Sequence, residues 1–196
     1  MAHAVTHDEH HYTSTGLNSW KVGFWTFIGS ECLFFATLIS TYMVYKGASI
    51  TGPYPEEILD IPLTTISTFV LLMSSLAMVL ALDGVQRGKR AGQFWLLMVI
   101  LLGLVFLGFQ VYEFNHFVHE GLTIQKNVFG SSFFVLTGFH GAHVTGGVLW
   151  LSILLIRSLR GKLPPGKSLQ LEIAGLYWHF VDIVWIAIFT LIYLIQ

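Results

Sequence analysis

The chain has 196 residues, of which 54% are hydrophobic and only 11% charged, with a net charge of −1 at pH 7. That balance is too apolar for a soluble domain of this size and leaves no basic surface for nucleic acid, so a polytopic membrane protein is expected. A single cysteine, Cys32, rules out an intrachain disulfide, a Cys-based zinc site and a covalently attached c-type haem.

Residues 1–21 form a polar leader holding His3, His7, His10 and His11 beside Asp8 and Glu9. Clustered histidines in such a tail read as a solvated segment, with metal binding as the alternative. The leader has no apolar core, so no cleaved signal peptide is expected and the first helix serves as the anchor. Residues 22–196 then read as one bundle. Five runs reach the roughly 20 residues needed to cross a hydrocarbon core: Val22 to Tyr45, Pro62 to Leu82, Gln93 to Tyr112, Phe129 to Ile156 and Ile173 to Ile195. Backbone groups must be satisfied internally in lipid, and none of the runs alternates as barrel strands do, so all five are expected to be helices. The fold class is therefore an all-α membrane bundle. Lys21, Arg87, Lys89, Arg90, Arg157, Arg160, Lys162 and Lys167 fall on the side of the N-terminus, against Lys46 and Lys126 opposite. The positive-inside rule then places the N-terminus in the cytoplasm and Gln196 outside.

A charge at bilayer depth costs several kcal/mol unless it meets a partner, so the ionisable residues inside these runs are the functional clues. In the first run Glu31 lies about nine residues in, or about 13 Å deep at 1.5 Å per residue. It reads either as a neutral carboxyl bonded to a neighbouring helix or as a proton-handling group. At the outer end of the third run stand Gln110, Glu113, His116, His119 and Glu120. Glu113-x-x-His116 is half of a carboxylate di-iron motif, but no second Glu-x-x-His occurs, so an interfacial polar cap is expected. In the fourth run His140, His143 and Gly147 share a helix face, which suits an interhelical hydrogen-bonding seam or, alternatively, haem or metal ligation. In the fifth, His179 and Asp182 fall at i,i+3 and can offset each other's burial. The shared depth of Glu31 and Asp182 allows one polar cluster, and Glu31 is expected to bond to His143 or His140. Trp20, Tyr45 and Tyr193 read as interface anchors, and Trp25, Trp178 and Trp185 as interface residues.

Four words in order carry a resemblance: Phe24-Trp25 through Glu31-Cys32-Leu33-Phe34-Phe35, Gln110-Val111-Tyr112-Glu113-Phe114, Ser132-Phe133-Phe134 through Phe139-His140-Gly141-Ala142-His143-Val144, and Tyr177-Trp178-His179-Phe180-Val181-Asp182-Ile183-Val184-Trp185. Over Gly23 to Leu194 the chain resembles subunit III of the haem-copper terminal oxidases. The resemblance implies an accessory subunit with no catalytic residue, haem or copper of its own, with haem and copper in the partner subunits I and II, a small subunit IV as a further partner, and bound phospholipid. It further implies that Glu31 matches the family carboxyl that reacts with hydrophobic carbodiimides. Glu31, His140, His143, His179 and Asp182 would then be structural and proton-environment residues. Longer family members have seven helices with a lipid-filled cleft after the second; this chain matches the last five. The short forms point to a bacterial plasma membrane. Phe139 before His140 looks like the cytochrome c type, which is the expectation, whereas the His-containing leader looks like the quinol type. The expectation of a different class is a self-contained haem or iron redox protein built on His116, His119, His140, His143 and His179. A proton-coupled transporter is disfavoured, because no Gly- or Pro-broken helix pair marks a substrate site.

Overall fold

The computed structural model describes residues 16, 18–46, 60–163 and 169–195. The leader histidines, Lys167 and Gln196 lie outside the described residues. Five helices account for nearly all of the rest: α1 (Ser19–Tyr45), α2 (Ile61–Gln86), α3 (Ala91–His119), α4 (Val128–Leu159) and α5 (Leu169–Phe189), the last continuing as a π-helical turn, Thr190–Leu194. Each of the five is long and apolar enough to cross a membrane.

Local chemistry sets the ends. Asn18, Asp60 and Asn127 cap α1, α2 and α4 by accepting from the backbone N–H of Trp20, Leu63 and Gly130, and Pro62 occupies the first turn of α2, where its missing N–H costs nothing. Gly88, Gly121 and Gly161 close α2, α3 and α4 with positive φ of 67°, 86° and 67°. In each, the next residue's N–H turns back onto a carbonyl of the last turn, as Lys89 does on Gly84. These caps carry the helices beyond the apolar runs. The third was expected to stop at Tyr112 and continues to His119, so Glu113 and His116 are helical. At 29 residues α3 measures about 44 Å, well past a hydrocarbon core of roughly 30 Å.

α2, α3, α4 and α5 form a closed ring in which each packs on the next, with α2 and α3 the most intimate pair; α1 lies outside it against α4 and α5. The side chains that α1 buries fully, Ile28, Phe35 and Tyr42, are seven residues apart and define one narrow stripe. Most of its remaining surface is apolar and exposed, with Leu33 at 72% and Val44 at 71%. The ring interior is mixed: Phe106, Phe133 and Trp178 share it with Thr64, Ser67, Thr68, Ser74, Gln110, Glu113, Thr137, His140 and Asp182. Apolar residues face outward and polar ones inward because lipid offers no hydrogen bonds, whereas neighbouring helices do.

Side-chain bonds tie the ring at the end where α1 begins. Lys21 Nζ lies 2.6 Å from Glu172, which also accepts from Gln86, so α1, α2 and α5 meet there. At the opposite end Lys46 donates to the Ile195 carbonyl, joining α1 to the end of α5.

Candidate functional site

Glu31 and His143 form the interhelical pair that their depths predicted. His143 Nε2 lies 3.1 Å from Glu31 Oε2, each side chain under one-fifth exposed. Phe35 meets the imidazole edge-on at 5.0 Å between centroids, and Tyr177 stacks on it at 6.5 Å. The Tyr177 hydroxyl donates to the His143 carbonyl, bringing α5 into the same junction.

The pair's hydrogen count follows from its partners. His143 Nδ1 lies 2.8 Å from the Phe139 carbonyl, which can only accept, so Nδ1 carries a hydrogen. The bond from Nε2 to Glu31 then needs one further proton, held either by the carboxyl or by the imidazole. Both arrangements are neutral as a pair, which is how an acidic and a basic group coexist inside a membrane.

His140, expected on the same seam, turns elsewhere. It is fully buried, its Nε2 lies 3.2 Å from the Val181 carbonyl, and Trp185 and Phe106 enclose the ring at 4.8 and 5.8 Å. The carbonyl fixes Nε2 as the protonated nitrogen and leaves Nδ1 a buried acceptor with no partner among the described residues. The one face predicted for His140 and His143 therefore serves two neighbours: His143 reaches α1 and His140 reaches α5.

His179 turns to α2, where Ser75 Oγ lies 2.6 Å from its Nδ1, whereas Asp182 Oδ1 is buried without a partner among the described residues. Among the described residues no hydrogen bond joins Glu31 to Asp182: Glu31 pairs with His143 on α4, and Ser75 of α2 pairs with His179.

The polar cap expected at the end of α3 is also corrected. His116, His119 and Glu120 are exposed, but Gln110 and Glu113 are only 7% and 6% exposed. Gln110 donates to the Thr137 carbonyl at 2.7 Å, and Glu113 Oε1 accepts from Thr64 at 2.8 Å and from Tyr193 at 3.0 Å. Tyr193, read as an interface anchor, is buried beside it because the π-helical turn brings its hydroxyl inward. Trp178 and Trp185, read as interface residues, are core: their indole N–H groups donate to Ser74 and Thr68, both at 2.9 Å. Trp25, Trp20 and Tyr45 are exposed as expected. Among the described residues no three His, Cys, Asp or Glu side chains converge as a metal site.

Sequence reasoning missed the hydroxyls of α2. Thr64, Thr68, Ser74 and Ser75 recur at helical spacing on the side facing α3 and α5, and that periodicity was the available signal. It also missed a cleft of about 670 Å³ where α1 begins, lined by Trp20, Phe24, Phe27, Trp150 and Ile153, with Arg157 among its lining residues.

The family model for cytochrome c oxidase subunit III matches residues 2–196. Quinol oxidase subunit 3 of Bacillus subtilis (strain 168) is 42% identical over 174 residues, covering 88% of this chain and 85% of that protein. Cytochrome c oxidase subunit 3 of the same strain is also 42% identical, over 88% of this chain and 84% of its own length. The corresponding cytochrome c oxidase subunit of Bacillus sp. (strain PS3) is 40% identical over 95% of this chain and 90% of that protein. Identity is equal toward the quinol and the cytochrome c protein of one organism, so the likeness is to what the two share. With five membrane-crossing helices and a family match over almost its whole length, the chain belongs to the cytochrome c oxidase subunit III family and is a multi-pass subunit III of a haem-copper oxidase.

Proposed function

We propose that this subunit is a non-redox scaffold that stabilises the catalytic subunit I and the surroundings of its proton-uptake path, while haem and copper sit in partner subunits I and II. The observation that carries this reading is what the buried imidazoles do. His143 holds α1 through Glu31, His140 holds α5 through a backbone carbonyl, and His179 holds α2 through Ser75. A bis-imidazole haem needs two rings facing each other, and these three imidazoles turn to different helices, which disfavours the self-contained redox reading. A small subunit IV is a further partner of the complex. The loop charges support an orientation with the Lys21 end in the cytoplasm of a bacterial plasma membrane.

The kinetic consequence concerns Glu31. In Glu31→Gln the amide can still donate to His143 Nε2, so the helix contact survives while the exchangeable proton is lost. The expected result is an oxygen-consumption rate nearly unchanged at first, with altered inactivation over many turnovers. Glu31→Ala also removes the contact, costing about 1 kcal/mol for one hydrogen bond, and should release the subunit more readily in detergent. An immediate, near-total loss of initial rate in a fully assembled Glu31→Gln complex would contradict the scaffold reading.

The cleft between α1, α4 and α5 supports bound phospholipid. Its aromatic and aliphatic walls suit an acyl chain, and Arg157, at the end of α4, suits the phosphate. Arg157→Ala should lower the phosphorus that copurifies with the complex; unchanged lipid content would remove this part of the reading. For the donor, Phe139 supports cytochrome c over quinol. Assay of the purified complex with reduced cytochrome c and with a quinol decides it.

A further inference from the structure

A second concavity, of about 380 Å³, runs between α1 and α5. It extends from Trp25 to Ile39 on α1 and from Leu176 to Ala187 on α5, about 20 Å of helix at 1.5 Å per residue. Cys32, Ala36 and Ala187 keep its walls low, so another backbone can come close. Every other lining residue is hydrophobic except His179. Ser75 takes Nδ1 of that imidazole, and Nε2 has no hydrogen-bond partner among the described residues. His179 stands seven residues beyond Glu172, which meets Lys21 at the end of the bundle, and is therefore about 10 Å deeper. A polar ring nitrogen at that depth needs a partner, because acyl chains provide neither donor nor acceptor.

We infer that the groove between α1 and α5 seats a transmembrane helix of another oxidase subunit, whose hydroxyl or amide side chain bonds His179 Nε2. This rests on the scaffold reading above and gives it a docking face. The chemistry separates the occupants: a lipid tail fills the apolar length but leaves Nε2 unpaired, whereas a helix carrying Ser, Thr, Tyr, Asn or Gln satisfies both. Such side chains suit either tautomer, since hydroxyls and amides both donate and accept.

The test places a photoactivatable benzophenone amino acid at Ile183, an exposed residue on the groove, and at Leu33, an exposed α1 residue outside its lining, in the complete complex in native membranes. The expected adduct from position 183 is a transmembrane peptide of another subunit, identified by mass spectrometry. Ala36→Leu, at an exposed position, should fill the groove and lower retention of this subunit in detergent without shifting the thermal midpoint of the isolated chain. His179→Phe should lower retention about three- to tenfold, the range of one interhelical hydrogen bond in a membrane, and His179→Gln should restore much of it. If other subunits copurify but position 183 captures only lipid or a second copy of this chain, and Ala36→Leu is retained normally, the docking face is wrong and the scaffold reading stands. A chain that purifies alone and coloured overturns both.

Discussion

Trp178→Ala is expected to be the most damaging truncation in the bundle. The indole is 1% exposed and touches every other helix of the ring: its N–H donates to Ser74 on α2, and its six-membered ring fits against Gly103 on α3 and Gly147 on α4. A Cβ built on Gly103 or Gly147 would stand 2.8 or 2.9 Å from that ring, so the two glycines and the indole are complementary. In water-soluble cores a Trp→Ala change costs about 3–5 kcal/mol, combining lost transfer energy with an unfilled cavity. Lipid is as apolar as the side chain, so the transfer part largely cancels here and about 2–3 kcal/mol of packing is the expected loss. The hydrogen bond contributes little to that figure in the truncated variant, because Ser74 also donates to the Leu71 carbonyl at 2.6 Å. Ser74→Ala, which instead strands the indole N–H, should cost about 1 kcal/mol. Denaturant titration of the isolated subunit in mixed micelles measures both. A Trp178→Ala midpoint no lower than that of Ser74→Ala would mean that the four helices are not keyed on this ring.

The architecture was legible because hydropathy reports the solvent. Runs of about 20 apolar residues mean helices in lipid whatever their neighbours, and five were found. The Glu31–His143 bond was also legible, since depth along two antiparallel helices brings those residues level. What hydropathy does not carry is direction around the helix. Lipid and core are both apolar, so Trp178 and Trp185 give no sign of which they face, and both proved buried. Gln110 and Glu113 looked like a surface cap because the apolar run ends at Tyr112, yet the helix runs on to His119 before Gly121 closes it, and their partners Thr137, Thr64 and Tyr193 lie on other helices. Tyr193 depends on the π-helical turn, which no pattern in Thr190–Leu194 announced. The α2 hydroxyls were easy to discount, because Ser and Thr in helices usually bond their own backbone. Thr68 and Ser74 do so and still accept from the indoles of Trp185 and Trp178, while Thr64 Oγ1 lies 2.8 Å from both the Asp60 carbonyl and Glu113 Oε1, which share its one hydrogen.

A second large effect is expected where α2 and α3 cross beside their four-residue turn. Lys89 N–H returns to the Gly84 carbonyl, and Gly92 N–H to the carbonyl of Lys89, folding the turn tightly enough that Gly84 and Gly92 touch through their backbones. A Cβ on Gly84 would meet the Gly92 Cα at 2.6 Å, and one on Gly92 would overlap the Val85 nitrogen. Neither clash can be relieved by a side-chain rotation, because the obstacle is main chain. Gly92→Leu should therefore pry the most intimate helix pair apart, at about 3 kcal/mol or more, the upper end of what overpacking costs. Gly108→Leu on the same helix is the matched control: nothing lies within 4 Å of its added Cβ, and replacing glycine in a helix gains up to about 1 kcal/mol of propensity. The two variants add the same side chain to one helix, so hydrophobicity and membrane insertion are held constant and only the crossing differs. In mild detergent Gly108→Leu should yield folded, monodisperse subunit, and Gly92→Leu should aggregate or be lost from the complex. Equal recovery of the two would show that α2 and α3 can separate without cost. The ring would then have to be held by its hydrogen bonds, Thr64 to Glu113 first among those between this pair, rather than by the glycine contact.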